Sequence, residues 1–431
     1  MSVEFAAMLA LLVAGALMRL PIGIALISAS IAYLWMRGLP LVAVTNTVMQ
    51  GFSSNFVFLA IPLFIFAAQV MNVGTITDRL LGFAVAVAGR TKGGLAQVNV
   101  ITSLIFSGMS GSATADAAGV GTVLVKMMRK NDRYPAGFAG AVTAASSVIG
   151  PIFPPSIPMI YYAISADTSV GALFLGGIIP ALFITVAMMV LNSVIARRRN
   201  FPIEPAQSSG EIFTQLRIAM LPLLTPFILL GGIYSGVMTP TEAAAVAAAY
   251  AIIVSIYYRA LGFKAFFRAL EESARKSAVV VMIIAGAFMF SYVIAIERLP
   301  NTLVAWVSDW EISATAFLLL INLMILLLGM IMPAATILLV IIPVLVPATM
   351  AMGIDPVHFG VVIVINTMIG LITPPYGVLV FVTSAVNDID AWSIIREIVP
   401  YIGVLLFCLL TLSLFPEIVL YLPKTFGYRP L

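Results

Sequence analysis

Between Ser107 and Asp116 the chain places four hydroxyls, two glycines and one carboxylate within ten residues, flanked by apolar arms. Glycine lets a backbone turn tightly and expose its carbonyls. Hydroxyl and carbonyl oxygens are hard ligands suited to a small hard cation. The competing reading is a loop tip whose serines and threonines cap the next helix; Asp116 is itself a candidate cap for that helix. A second tip, from Gly329 through Met332 and Pro333 to Thr336, is poorer in hydroxyls. Asn366 and Thr373 bring further side-chain oxygens to that half, although an asparagine in a membrane also commonly bonds a neighbouring helix.

Each tip is followed by a duplicated break. Gly150 to Pro155 and Gly370 to Pro375 share the pattern Gly-x-x-x-Pro-Pro, 220 positions apart (370 − 150). The same offset pairs Asp167 with Asn387 and Pro180 with Pro400. Pro151, Pro154, Pro155 and Pro158 remove amide donors and free upstream carbonyls. The half-helix beginning near Pro155 aims its N-terminal dipole inward, which favours an anion. The half-helix ending near Gly150 offers carbonyls to a cation. Broken backbone at membrane depth survives where it lines a cavity or holds a ligand.

The elements that must position these groups are apolar helices. Of 431 residues 62% are hydrophobic and only 9% charged, far below the quarter usual in soluble domains. The expected class is an all-α polytopic membrane protein with on the order of ten crossings plus re-entrant pieces. The net charge of +4 marks cytoplasmic loops here and gives no sign of nucleic acid. One cysteine, Cys408, excludes an internal disulfide and a thiolate metal cage. One histidine, His358, argues against histidine-based catalysis or zinc; it reads as an interfacial residue. The N-terminus lacks a basic leader region and reads as the start of the first membrane segment, 4–36, with a kink near Arg19. Few charges lie deep in the chain, which favours coupling to an alkali cation over a proton relay.

Charge placement orients the pieces. Arg90 and Lys92 precede the segment pair 93–128, and Lys126, Arg129, Lys130 and Arg133 follow it. This hairpin is expected to open to the cytoplasm. The pair 312–352 is flanked by Asp309, Glu311 and Asp355, with no Lys or Arg from Leu299 to Ile395, and is expected to open oppositely. The expected organisation is N-terminal scaffold helices 1–92 and a first transport repeat 93–196, with broken helix 134–166. A loop rich in Arg197, Arg198, Pro202, Pro205 and Ser208, with further scaffold helices, fills 197–298. A second repeat, 299–431, holds broken helix 357–387 and a C-terminal helix. The stretch Arg259 to Lys276 reads as an amphipathic surface helix. Thr239, Pro240 and Glu242 form a capping box with proline at the first helical position.

At Ser107–Ala118, Tyr134–Phe138, Gly150–Pro158, Ile233–Ala245, Gly353–Gly360 and Gly370–Pro375 the chain resembles the large membrane subunit of tripartite ATP-independent periplasmic (TRAP) transporters, the DctM-like family. That resemblance implies a non-enzymatic, sodium-driven importer of an organic acid, such as a C4-dicarboxylate or sialic acid. It would sit in the bacterial inner membrane in contact with lipid, with two re-entrant hairpins and two broken helices moving as an elevator. It implies a separate small membrane subunit (DctQ-like) and a periplasmic substrate-binding protein (DctP-like). By position, Ser107, Ser110, Ser112, Gly150 and Pro154 would serve one Na+ site. Gly329, Met332, Asn366, Gly370 and Thr373 would serve the other. The substrate would sit near Ser156, Pro155, Thr336, Pro375 and Tyr376. Pro333 stands where relatives often carry an acid, so no carboxylate ligand is available there. The nearest alternative is a stand-alone sodium/anion symporter of related architecture. A passive channel would not need repeats around an occluded site, and an intramembrane hydrolase would need a nucleophile–base pair that one histidine and scattered acids do not supply.

Overall fold

The computed structural model describes residues 2–72, 76–203, 209–309 and 312–430. Pro205, Ser208 and Glu311, used above, lie outside the described residues. Among those described, the secondary structure is helical, and six helices are long and apolar enough to cross a membrane, or seven if one bent pair counts as a single span. Further apolar helices of 10–17 residues supply hairpin arms and the halves of the broken helices.

The chain opens with α1 (Val3–Leu17) and α2 (Ile22–Met36). The expected kinked segment is in fact two antiparallel helices, separated where Arg19 turns left-handed at φ 62°. α3 (Val42–Ser54) buries none of its side chains and meets α4 (Ala60–Met71) at a 74° bend. α5 (Ile76–Ala88) then leads into the first hairpin. That hairpin is α6 (Gly94–Ser110) descending to a tip, then α7 (Ala113–Ala118) and α8 (Val120–Arg129) returning. α9 (Ala136–Ser146) and α10 (Ile157–Ala166) are the halves of the first broken helix, and α11 (Val170–Arg198) follows.

Next come α12 (Ser209–Tyr234), α13 (Pro240–Tyr257), α14 (Phe263–Ile296) and α15 (Leu299–Asp309). The second hairpin is α16 (Ala314–Gly329), then α17 (Ala334–Thr336), a π turn at Ile337–Ile341 and α18 (Ile342–Ala351). α19 (Pro356–Gly370) and α20 (Val378–Asn387) form the second broken helix, followed by α21 (Ala391–Leu414) and α22 (Pro416–Thr425).

The 220 offset extends to the elements themselves: α6 and α16 begin at 94 and 314, and α9 and α19 at 136 and 356. Beyond the prolines it becomes 221, since α10 and α20 begin at 157 and 378. One extra residue therefore sits in the second break. The left-handed helix ends fall at Asp167 and Asp388, so the structural partner of Asp167 is Asp388, not the Asn387 of the sequence offset.

The stretch 259–276 is not a separate surface helix. It is continuous with the following span in α14, 34 residues long, because Arg268–Glu272 and Arg275–Glu271 pairs at i,i+4 carry the helix through its polar part. The Thr239 capping box forms as expected, with Glu242 accepting from the Thr239 amide at 2.8 Å. α4 packs on α13 through buried Ala243, Ala244, Ala247, Ala248 and Ala251, small side chains that let helix backbones approach where lipid offers no hydrophobic drive.

Contacts sort the helix ends into two sets. At the basic end Lys92 bridges to Ile203, Arg129 donates to the Asn387 carbonyl at 2.9 Å, and Arg199 pairs with Glu397 at 2.8 Å. At the other end Glu297 gathers the N-terminus, accepting from the Ser2 amide at 3.1 Å and from Tyr33 and Arg37 at 2.7 Å. The Ser2 hydroxyl foremost, with Tyr33 and Arg37, holds the Glu297 carboxyl down at about 2, against the opposing effect of burial. Tyr428 donates to Asp355 there at 3.1 Å, and Tyr162 to the Pro356 carbonyl at 2.7 Å. The first hairpin has its feet at the basic end, and the second has its feet at the opposite end.

Candidate ion and substrate site

The first tip is built by backbone. α6 ends at Gly111, whose φ of 57° is left-handed and whose added Cβ would lie 2.5 Å from the Pro155 carbonyl. Only glycine fits this approach between tip and break. Ser112 then caps α7, accepting from the Ala115 amide at 3.4 Å, so Ser112 is the cap and Asp116 is not. The Ser112 carbonyl faces Gly150, 3.7 Å from where a Cβ would stand. Ser110 accepts weakly from the Ser112 amide at 3.5 Å. Ser107 turns its hydroxyl back to the Leu104 carbonyl at 2.5 Å, while its own carbonyl accepts from Gly111.

Across the break, Pro154 and Pro155 are joined by a cis bond, as are Pro374 and Pro375. Ser156 is fully buried and caps α10: it accepts from the Met159 amide at 3.1 Å and donates to the Pro151 carbonyl. Both functions of that hydroxyl are engaged within its own turn.

The second copy joins differently. Gly329 and Gly370 touch backbone to backbone; a Cβ on Gly370 would lie 2.6 Å from the Gly329 carbonyl carbon. Asn366, fully buried, donates to the Asn322 carbonyl at 2.7 Å and to Asn322 Oδ1 at 2.8 Å, so it does bond the neighbouring helix. Asn322 passes the chain on to Ser413 at 3.0 Å. Asn366 Oδ1 and Thr336 Oγ1 are buried with no hydrogen-bond partner among the described residues. Thr373 donates to the Ile369 carbonyl at 2.7 Å. Met332 is half-buried at the tip, and Pro333 begins the short α17 without a side-chain cap. The extra residue of this copy is Tyr376; it is 59% exposed and leans on Phe381. Its neighbour Gly377 replaces Ser156 as the residue before the half-helix and supplies no side-chain cap.

Behind the first tip lies a polar cluster of which the sequence reading above named only Asp116. Asn99 donates to Thr143 at 2.7 Å, Ser146 donates to Asn99 at 2.9 Å, and Ser103 donates to Ser146 at 3.0 Å. Asp116 is buried beside Ser103 and Ser147, with Oδ2 unpartnered among the described residues. Ser146 and Asn366 are related by the 220 offset, so the missed signal was the repeat itself. His358, read from sequence as interfacial, faces protein in the first turn of α19. Its ring is buried and bonds the Leu412 carbonyl at 2.9 Å, because the first turn of α19 packs against α21.

The first hairpin tip borders a cavity of about 230 Å³. One wall is Ser110–Ala115 with Pro151, Ile157, Pro158 and Tyr161; Ala334, Met368 and Leu371 come from the second half. The facing wall is Gln69 of α4, Asn72 just past its end and Lys276 of α14. Of the expected ligands, Ser110 and Ser112 line this space, whereas Pro155, Ser156, Thr336, Pro375 and Tyr376 do not. Gln69, Asn72, Tyr161 and Lys276 escaped the sequence reading. Asn72 and Lys276 stand at the edges of apolar runs, whereas Gln69 and Tyr161 lie within them. Side chains at the tips and break ends can take a cation through oxygen, and the half-helix α10 presents its N-terminus beside the same cavity.

The family model of the DctM component of tripartite ATP-independent periplasmic transporters matches residues 9–418. The sialic acid TRAP transporter large permease protein SiaM of Vibrio cholerae is 41% identical over 411 residues, covering 95% of this chain and 96% of that one. The C4-dicarboxylate TRAP transporter large permease protein DctM of Pseudomonas aeruginosa is 38% identical over 376 residues, 87% of this chain and 88% of that one. In three dimensions the YdaH transporter of Alcanivorax borkumensis superposes with a TM-score of 0.62 at 17% identity, covering 88% of this chain and 89% of that one, a likeness of fold. The chain therefore belongs to the DctM family: it is the large, multi-pass inner-membrane subunit of a TRAP transporter, a transport protein and not an enzyme.

Proposed function

We propose that this subunit imports an organic acid together with sodium, in a complex with a small DctQ-like membrane subunit and a periplasmic DctP-like binding protein that delivers the substrate. The observation that carries the reading is the meeting of each hairpin tip with a broken helix, Gly111 on Pro155 and Gly329 on Gly370. Such sites, made of loosened backbone and a few side-chain oxygens, suit a bare alkali cation. The unpartnered Asn366 Oδ1 supports a side-chain ligand in the second. We assign the hairpins and broken helices of 93–196 and 299–431 to a moving transport domain, and 1–92 and 197–298 to a scaffold.

α5 joins α4 to the first hairpin at the basic end, and α15 joins α14 to the second at the other, which suits two arms of an elevator. The relatives are named for sialic acid and a C4-dicarboxylate, both acids, and an acid is the substrate class we propose. Co-transport of more than one sodium per anionic charge would draw the substrate inward at ~2.3 kcal/mol per net charge per 100 mV. The test is uptake into proteoliposomes holding both membrane subunits, with binding protein outside. Uptake should require a sodium gradient. Uptake that persists in a proton gradient alone would remove sodium from the mechanism, and uptake that ignores the binding protein would favour a stand-alone symporter.

A further inference from the structure

The cavity at the first tip carries one formally charged side chain, and it comes from the facing wall: Lys276. Lys276 continues an i,i+4 row on α14 that begins at Arg268 and Glu272, each step rising about 6 Å. The first two are occupied with each other. Arg268 pairs with Glu272 at 3.1 Å, and Gln69 donates to the remaining carboxylate oxygen at 2.9 Å. Lys276 has no ion-pair or hydrogen-bond partner among the described residues and is exposed to the cavity. A second depression shares Gln69 and Asn72 with the cavity and continues down α14 past Glu272 and Arg268 to Lys264. An anion leaving the hairpin tip toward the basic end thus meets Lys276 first.

An unpaired ammonium at the edge of an apolar span, facing hydroxyls and a half-helix N-terminus, is matched by one kind of occupant, a carboxylate or similar acid group. We infer that Lys276 is the scaffold's contact for the acidic group of the substrate, made when the cavity is open toward the basic end. This rests on the reading of the chain as an acid carrier. It adds that the binding cation is not part of the hairpin repeats, so the contact is broken when those repeats move relative to α14. Lys276 then sets selectivity for anions and holds the substrate on the inward side before release.

The experiment measures equilibrium binding of radiolabelled succinate and N-acetylneuraminate, in sodium, to the full chain purified with its small membrane subunit and without binding protein. Lys276→Gln should raise the Kd of whichever acid binds by about tenfold, the scale of one lost charge-assisted hydrogen bond. Lys276→Arg should recover most of the affinity. In a Cys408→Ala background, Lys276→Cys should bind as weakly as the glutamine variant. Treatment with aminoethyl methanethiosulfonate restores an ammonium and should restore binding, whereas the sulfonatoethyl reagent should not. A Kd within twofold of wild type for Lys276→Gln, with wild type binding normally, would overturn the inference and leave Lys276 as a headgroup-facing lysine. If wild type shows no sodium-dependent binding of either acid, the reading of this cavity as a sodium-coupled site for these two kinds of acid fails, and the inference falls with it.

Discussion

At the residue scale, the two ion sites proposed here are unequal. In the first, serine hydroxyls are largely consumed: Ser112 caps α7 and Ser107 bonds its own turn. What is left to offer is carbonyl oxygen and Ser110. In the second, the Asn366 amide hydrogens are taken by Asn322 while its oxygen stays open. Asn366→Ala should therefore raise the sodium half-saturation of transport by roughly tenfold, the cost of one ligand of charge-assisted strength. Ser110→Ala, whose hydroxyl makes only a 3.5 Å contact with the tip, should raise it less. Sodium titrations of uptake in both variants check this. Unchanged half-saturation in both would move the ions elsewhere. Serine and asparagine were legible as candidates from type and spacing, but which of their atoms were already spent was not, since capping is decided by the local turn.

At the element scale, the breaks depend on close backbone approach. Gly370→Ala would drive a Cβ against the Gly329 carbonyl carbon at 2.6 Å, backbone that cannot swing aside. Overpacking of this kind costs about 1–3 kcal/mol. The variant should melt lower in detergent and lose transport. Gly231→Ala in α12, with nothing within 4 Å, should do neither. Equal melting temperatures would mean the α16–α19 contact has slack. The Gly-x-x-x-Pro-Pro repeat foretold both breaks from sequence. It did not foretell that the second has one more residue, because an offset that matches across Gly370 to Pro375 conceals a shift beginning at Tyr376.

At the scale of the whole molecule, the basic and opposite ends become the cytoplasmic and periplasmic faces if the positive-inside rule holds. In a Cys408→Ala background, Gly38→Cys should react with a membrane-impermeant maleimide in intact spheroplasts. Arg198→Cys should react only after permeabilisation. Both positions are exposed. The reverse pattern would invert the orientation and with it the direction in which the Lys276 cavity opens. From sequence, 4–36 reads as one kinked membrane segment. The structure resolves it into two helices: Glu297 ties Ser2 and Arg37 to one end, so that α1 and α2 run out and back.

By itself the sequence determined that this is a helical membrane protein, that its helix breaks come in two copies, and that the charges flanking the two hairpins are of opposite sign. Each of these follows from local chemistry: hydropathy, proline and glycine spacing, and flanking charge. Tertiary structure alone decided that α14 runs unbroken through its basic stretch, that His358 and Asp116 are buried, and that the cavity wall opposite the first tip belongs to Gln69, Asn72 and Lys276. The reason is physical. A hairpin tip and a broken helix are close in sequence and can be read together, but the helix that faces them across a cavity is about 160 residues from the tip (276 − 112) and reaches it only by packing.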